Sequence, residues 1–183
     1  MIEAHTPWVE TSRISAGDWW QKGWSSSTVS DPIGGIGERR LNFQYAGDLE
    51  NLSQLLQDAG WKVPPASSWA TLIEMLQPDP TPDSLPILPA AYHGRSEALL
   101  LHRLGVDPQQ QMVLHIWPAA AVVDGQTPLW VGVIAEHRLQ GLLYFFSFWG
   151  YSDDHSSAVE QLASDLSSLR QRPVRDLLLV QAF

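Results

Sequence analysis

Six histidines carry much of the chemistry this chain has to offer: His5, His93, His102, His115, His137 and His155. No two of them have the short helical spacing of a metalloprotease site, and no HExxH occurs. His102 and His115 fall on segments read as neighbouring strands. With Glu136 or His137 they offer, in principle, the nitrogen and oxygen donors of a metal ring. Strand histidines set among Leu and Ile are more ordinarily core-edge residues with one hydrogen bond, so no metal and no other cofactor is expected. A second grouping, Asp153, Asp154 and His155, opens a helix. Carboxylates there cap free N–H groups and offset the positive helix end. If the chain were an enzyme, Asp154 and His155 would be its acid–base pair at a strand-to-helix junction. The third grouping is His93, Gly94 and Arg95. Arg95 could grip a phosphate or carboxylate and His93 could protonate a leaving group. The plainer alternative is a turn with Gly94 at positive φ and Arg95 in a surface ion pair. The glycines at Gly34, Gly35 and Gly37 lack the preceding strand, the full spacing and the lysine of a nucleotide loop, and GxSxG is absent. No catalytic motif emerges, and the residues point to binding rather than catalysis.

The elements that must position these groups are clearest from Leu41 to Trp61. Phe43 and Tyr45 alternate with Asn42 and Gln44, which predicts a half-buried strand. Asp48 follows Gly47 as a helix cap, and Leu49, Leu52, Leu55, Leu56 and Ala59 then share one helical face. Gly60, Trp61, Pro64 and Pro65 stop that helix. A second helix is expected from Ser67 or Ser68, with Trp69, Leu72, Ile73 and Leu76 as its apolar face. Pro78 to Pro89 reads as an irregular loop that covers a core or lines a site. Four strands of an antiparallel meander follow, approximately Glu97–Leu104, Gln111–Trp117, Leu129–Arg138 and Leu142–Trp149, with turns at Gly105–Pro108, Asp124–Pro128 and Leu139–Gly141. They are apolar on both faces, so both faces need cover. A last helix from about Asp153 to Gln171 and a strand at Val174–Phe183 complete the chain, the strand expected parallel to a meander strand through a right-handed crossover. The fold class is therefore α+β: a meander of about four strands plus an N-terminal and a C-terminal strand, with about three helices packed on the sheet. Residues 1–36, punctuated by Pro, Gly and Ser, read as a Trp-rich extended arm, with Asp18 capping a short helix through Trp19 and Trp20, and residues 37–183 as one domain.

Composition narrows the role. The 183 residues carry 20 Asp+Glu against 11 Lys+Arg, a net charge of -9, which argues against a nucleic-acid partner. The absence of cysteine excludes disulfides and thiolate chemistry. The run Leu142 to Trp149 is far shorter than the ~20 residues a spanning helix needs. Nine tryptophans are many for one domain, and an aromatic contact surface accounts for them: Trp19, Trp20, Trp130, Tyr144 and Trp149 are the partner-binding candidates, with His93 and Arg95 as ligand contacts.

The segments DWWQKGW, RRLNFQYAGDL, AGW, LPILPAAYHGR, VLHIWP and PLWVGVI, in this order from Trp19 to Ile134, resemble the LssY C-terminal domain family of bacteria. The resemblance implies an accessory or regulatory domain, frequently joined to membrane segments similar to DedA proteins and to phosphatidic-acid-phosphatase-like enzymes. It thereby implies a role beside polyprenyl or phospholipid phosphates, with a membrane-protein module or a lipid head group as partner. The lipid-phosphatase motifs themselves are missing, so phosphatase activity is not carried over. A hydrolase-like site at His93 and Arg95 and a homodimer through an open sheet face are the competing expectations. A chain that starts at Met1 with no spanning helix is expected to be an excised domain or a stand-alone relative, acting at a membrane through a fused or partner segment.

Overall fold

The computed structural model describes residues 11–24, 28–29, 39–65, 85–87, 90–142, 146–151 and 156–182. The unit from residue 41 to 61 forms as its local chemistry dictates. Asp48 takes an extended backbone and its carboxylate accepts the Asn51 N–H at 2.9 Å, capping the helix Leu49–Asp58. Gly60 takes the left-handed backbone past the helix end, and the Trp61 N–H returns to the Leu56 carbonyl at 3.0 Å. The strand Phe43–Ala46 departs from the half-buried expectation: all four residues are buried, Gln44 included. It lies inside the sheet with cover on both sides, so its alternation marks two different buried environments rather than core and solvent.

In chain order the strands are β1 (Ser12–Ile14), β2 (Thr28–Val29), β3 (Arg39–Arg40), β4 (Phe43–Ala46), β5 (Ala91–Tyr92), β6 (Arg95–Ser96), β7 (Leu99–Leu104), β8 (Gln110–Val123), β9 (Thr127–Leu142), β10 (Phe146–Tyr151), β11 (Arg170–Val174) and β12 (Leu177–Gln181). Among the described residues the helices are α1 (Ala16–Lys22), α2 (Leu49–Asp58) and α3 (Ser156–Asp165). The long antiparallel pair β8–β9 is the spine of an eight-stranded sheet. Each spine strand has two partners on its outer side. β8 pairs with β7 in its first half and, in parallel, with β1 at its end. β9 pairs with β4 in its first half and with β10 in its second. β12 lies parallel to β4, and β11 closes that edge. Where β9 leaves β4 and has not yet met β10, the Asn42 side chain supplies the missing ladder: Oδ1 accepts the Ile134 N–H and Nδ2 donates to the Ile134 carbonyl, both at 2.8 Å. Gly132 sits at the same junction, where a Cβ would stand 2.7 Å from the His115 carbonyl oxygen and 3.2 Å from the Phe43 ring.

The α+β class and the meander β7–β8–β9–β10 agree with the sequence reading. Several boundaries do not. β9 runs through the expected turn at Leu139–Gly141, because Leu139 continues the apolar alternation and pairs with Trp149. The last helix ends at Asp165, and Arg170–Val174 is an edge strand that tolerates Pro173. The final strand pairs in parallel with β4 rather than with a meander strand. The α1 cap is Ser15, whose hydroxyl accepts the Asp18 N–H and donates back to the Asp18 carboxylate. The second expected helix, at residues 67–76, lies outside the described residues.

Both faces of the sheet are covered by the chain itself. On the helical face, Leu52 and Leu56 of α2 and Ala158 and Leu162 of α3 pack with Leu166 on Phe43, Tyr45, Leu101, Leu114, Ile116 and Ile134. On the second face, Trp19 of α1 packs on Ala121, Leu129 and Leu179, while Tyr92 and Ala90 meet Trp117, and Leu85 and Ile87 meet Val113 and Trp149. The N-terminal segment and the end of the Pro-rich stretch thus do the covering that the two-sided strands demand.

Candidate functional site

His93 and Gly94 form the two-residue turn between β5 and β6, with φ of 50° and 74°. Two successive left-handed residues suit the right-handed twist of the paired strands, and only Gly, Asn, Asp or His accept such backbone readily. The turn is therefore locked and exposed, and Arg95 stands beside it without an ion pair among the described residues. Its anchor is Tyr92. That ring contacts His93 at 4.4 Å between centroids and Trp117 at 6.0 Å, and it is 3% exposed.

Beneath the turn lies a buried polar group. β8 alternation places Val113, His115 and Trp117 on the second face, and His115 stacks on Trp117 with centroids 5.8 Å apart and planes 6° from parallel. The Glu97 carboxylate, just after β6, has Oε1 3.4 Å from His115 Nδ1, a contact longer than a good hydrogen bond. Burial is the largest influence on the Glu97 carboxyl and pushes it up. The proximity of His115 and the backbone N–H groups of Glu97 and Ala90 together outweigh it and hold Glu97 below its ordinary value, as a carboxylate. Five buried polar atoms in this cluster have no hydrogen-bond partner among the described residues: Tyr92 Oη, Glu97 Oε2, both ring nitrogens of His115 and Trp117 Nε1. Each such atom costs roughly 1–3 kcal/mol while unsatisfied, so five of them on four neighbouring residues are informative.

His102 and His137 share this face. His102 Nδ1 is 2.8 Å from Gln111 Oε1, and Gln111 lies opposite His137 in the ladder. Glu136 projects to the opposite side, where Ser157 and Arg138 bond to it. Among the described residues, no three His, Asp or Glu side chains are placed to hold a metal ion.

The aromatic candidates fall in separate places. Trp19 is fully buried and its indole N–H donates to Gln44 Oε1 at 2.9 Å, which makes it an anchor of the N-terminal segment rather than an outward contact. Trp20 is half-buried beside it, with the Arg170 guanidinium 4.4 Å over its ring. Trp130 faces the helices and donates to the Gly47 carbonyl at 2.9 Å. Trp149 is buried on the second face against Leu85 and Ile87. Tyr144, Asp154 and His155 lie outside the described residues. Sequence reasoning found the turn but not Tyr92, Glu97 or Trp117 as its neighbours. The spacing of His115 and Trp117 put those two on one side of a strand; nothing local brought Glu97 and Tyr92 to them.

Residues 26–149 match the family model described as LssY C-terminus, about two thirds of the chain. The chain belongs to the LssY C-terminus family. The matched span of the LssY C-terminus domain includes the turn and all four residues of the buried cluster. Comparison with curated proteins and with solved structures finds no match. No helix among the described residues is long and apolar enough to cross a membrane.

Proposed function

We propose that this domain is a non-catalytic accessory binding module of a bacterial membrane-associated system linked to lipid phosphates, and that it takes its ligand at the His93–Arg95 turn. The carrying observation is the turn itself: an exposed His–Gly–Arg sequence in a fixed left-handed conformation, anchored by Tyr92 over a cluster of buried polar atoms. A planar guanidinium held on a rigid turn suits a phosphate ester. Within the described residues the two sheet faces are already occupied by the chain's own α1, α2, α3 and Pro-rich segment, which favours the turn over a sheet face as the contact for a partner. The link to lipid phosphates rests on the family resemblance.

Vesicle sedimentation tests this reading. The domain is expected to co-sediment with phosphatidic acid or phosphatidylglycerol vesicles and not with phosphatidylcholine, although its charge of -9 opposes non-specific adsorption to an anionic surface. Arg95→Ala is expected to abolish the binding without lowering thermal stability. No binding to any anionic vesicle overturns the lipid link, and binding unchanged by Arg95→Ala overturns the turn as the site.

A further inference from the structure

We infer that Tyr92, Glu97, His115 and Trp117 form a hydroxyl-binding subsite behind the turn, so that the ligand class is a phosphorylated polyol with its phosphate outside at Arg95 and a hydroxyl inside. This rests on the turn being the binding end of the molecule and adds what lies behind it.

The argument follows from the complement of unpaired atoms. Trp117 Nε1 can only donate, the Glu97 carboxylate Oε2 can only accept, Tyr92 Oη can do both, and each ring nitrogen of His115 donates or accepts according to its tautomer. A phosphate in this position would satisfy the donors and be repelled by the carboxylate. An ammonium would satisfy the carboxylate and leave the indole N–H facing a cation. A hydroxyl donates to Glu97 or His115 while accepting from Trp117 or Tyr92, and so uses both kinds of atom. His115 is 1% and Trp117 0% exposed, so water is excluded from the surroundings and a hydrogen bond made there is worth more than one at the surface. The route inward is short. His93 touches Tyr92 and Tyr92 touches Trp117, and the hairpin carrying Tyr92 has only two residue pairs and stands apart from the eight-stranded sheet. Two-stranded ladders of this size are marginal by themselves, so the hairpin moves as a unit to admit a ligand while its turn keeps its shape.

The test compares glycerol 3-phosphate with propyl phosphate, which has the same length and no hydroxyl, by calorimetry on the full chain. Glycerol 3-phosphate is expected to bind at least about tenfold more tightly, because a site built to bond a hydroxyl rejects an analogue lacking it. Glu97→Gln and Trp117→Phe are expected to erase that preference while leaving propyl phosphate binding intact, whereas Arg95→Ala weakens both ligands. Glu97→Gln is nearly isosteric and serves if Trp117→Phe does not fold. Equal affinity for the two esters, or a preference untouched by Glu97→Gln, overturns the subsite and leaves the turn standing. Failure of both esters and of the vesicles to bind overturns the two together. Preference for phosphatidylglycerol over phosphatidic acid vesicles assigns the polyol phosphate to a lipid head group, and binding of the soluble ester alone assigns it to a free metabolite.

Discussion

Tyr45 shows how much a single residue of this sheet is asked to do. Its ring is buried between the sheet and α2, and its hydroxyl donates to the Asp48 carbonyl at 3.1 Å, joining the strand to the start of the helix. Burial first, and then the Asp48 charge, push its pKa from 10.0 up to about 12. A raised folded value means that the neutral phenol stabilises the fold in full below pH 10.0, and that this contribution fades as pH rises from there through about 12. The loss amounts to on the order of 2 kcal/mol. Alkaline unfolding followed by circular dichroism checks this: Tyr45→Phe is expected to be flatter than the wild type over that window. Asn42 and Gln44 make the complementary point. Their polar side chains read as solvent-facing in the sequence, yet both are buried because each has an amide's worth of backbone or indole partners. Nothing in the local pattern identifies those partners, which lie on other elements.

At the scale of elements, α2 and α3 are tied together by one carboxylate. Asp165, at the end of α3, accepts from the Trp61 indole at 2.8 Å, from Arg103 of β7 through both oxygens at 2.6 and 2.8 Å, and from Gln161 at 2.9 Å. Trp61 follows α2, so the clamp holds both helices and an outer strand of the meander. Asp165→Asn keeps the shape and removes the charge. It is expected to destabilise by about 2 kcal/mol in urea unfolding, below the range for fully buried pairs because Arg103 is 31% exposed. An unchanged midpoint would mean that the clamp is ornamental. The elements also differ in how far they were legible. α2 was readable because cap, apolar stripe and stop are all local. β11 was not: Arg170, Gln171 and Arg172 are good helix formers and Pro173 reads as a terminator, while the pairing with Leu179, Val180 and Gln181 that makes them a strand is set by the sheet edge. The candidate site was half legible for the same reason. The turn announced itself in His93, Gly94 and Arg95, whereas its floor is assembled from three separate segments.

Over the whole molecule, residues 12–23 cross the second face from one edge of the sheet to the other. β1 pairs with β8, Asp124 binds the Ala16 N–H at 2.8 Å, and Trp19 reaches Leu179 of β12. Gln44 holds the far end through the Trp19 indole and both backbone groups of Trp24, at 2.9 to 3.0 Å. Gln44→Leu is expected to orphan the Trp19 N–H at a cost of about 1–3 kcal/mol and to shift tryptophan emission to longer wavelength as the segment loosens. Emission and stability equal to the wild type would show that packing alone retains it.

That crossing has a consequence for how the chain is made. Ala16 and Asp124 are 108 positions apart, and Leu179, which packs with Trp19, comes later still in the chain. On a ribosome this segment must wait for β12 to be synthesised before Trp19 can be fully buried. Contacts of such separation also close slowly once the chain is free. The segment that seals the second face is therefore made long before the strand that completes its seat.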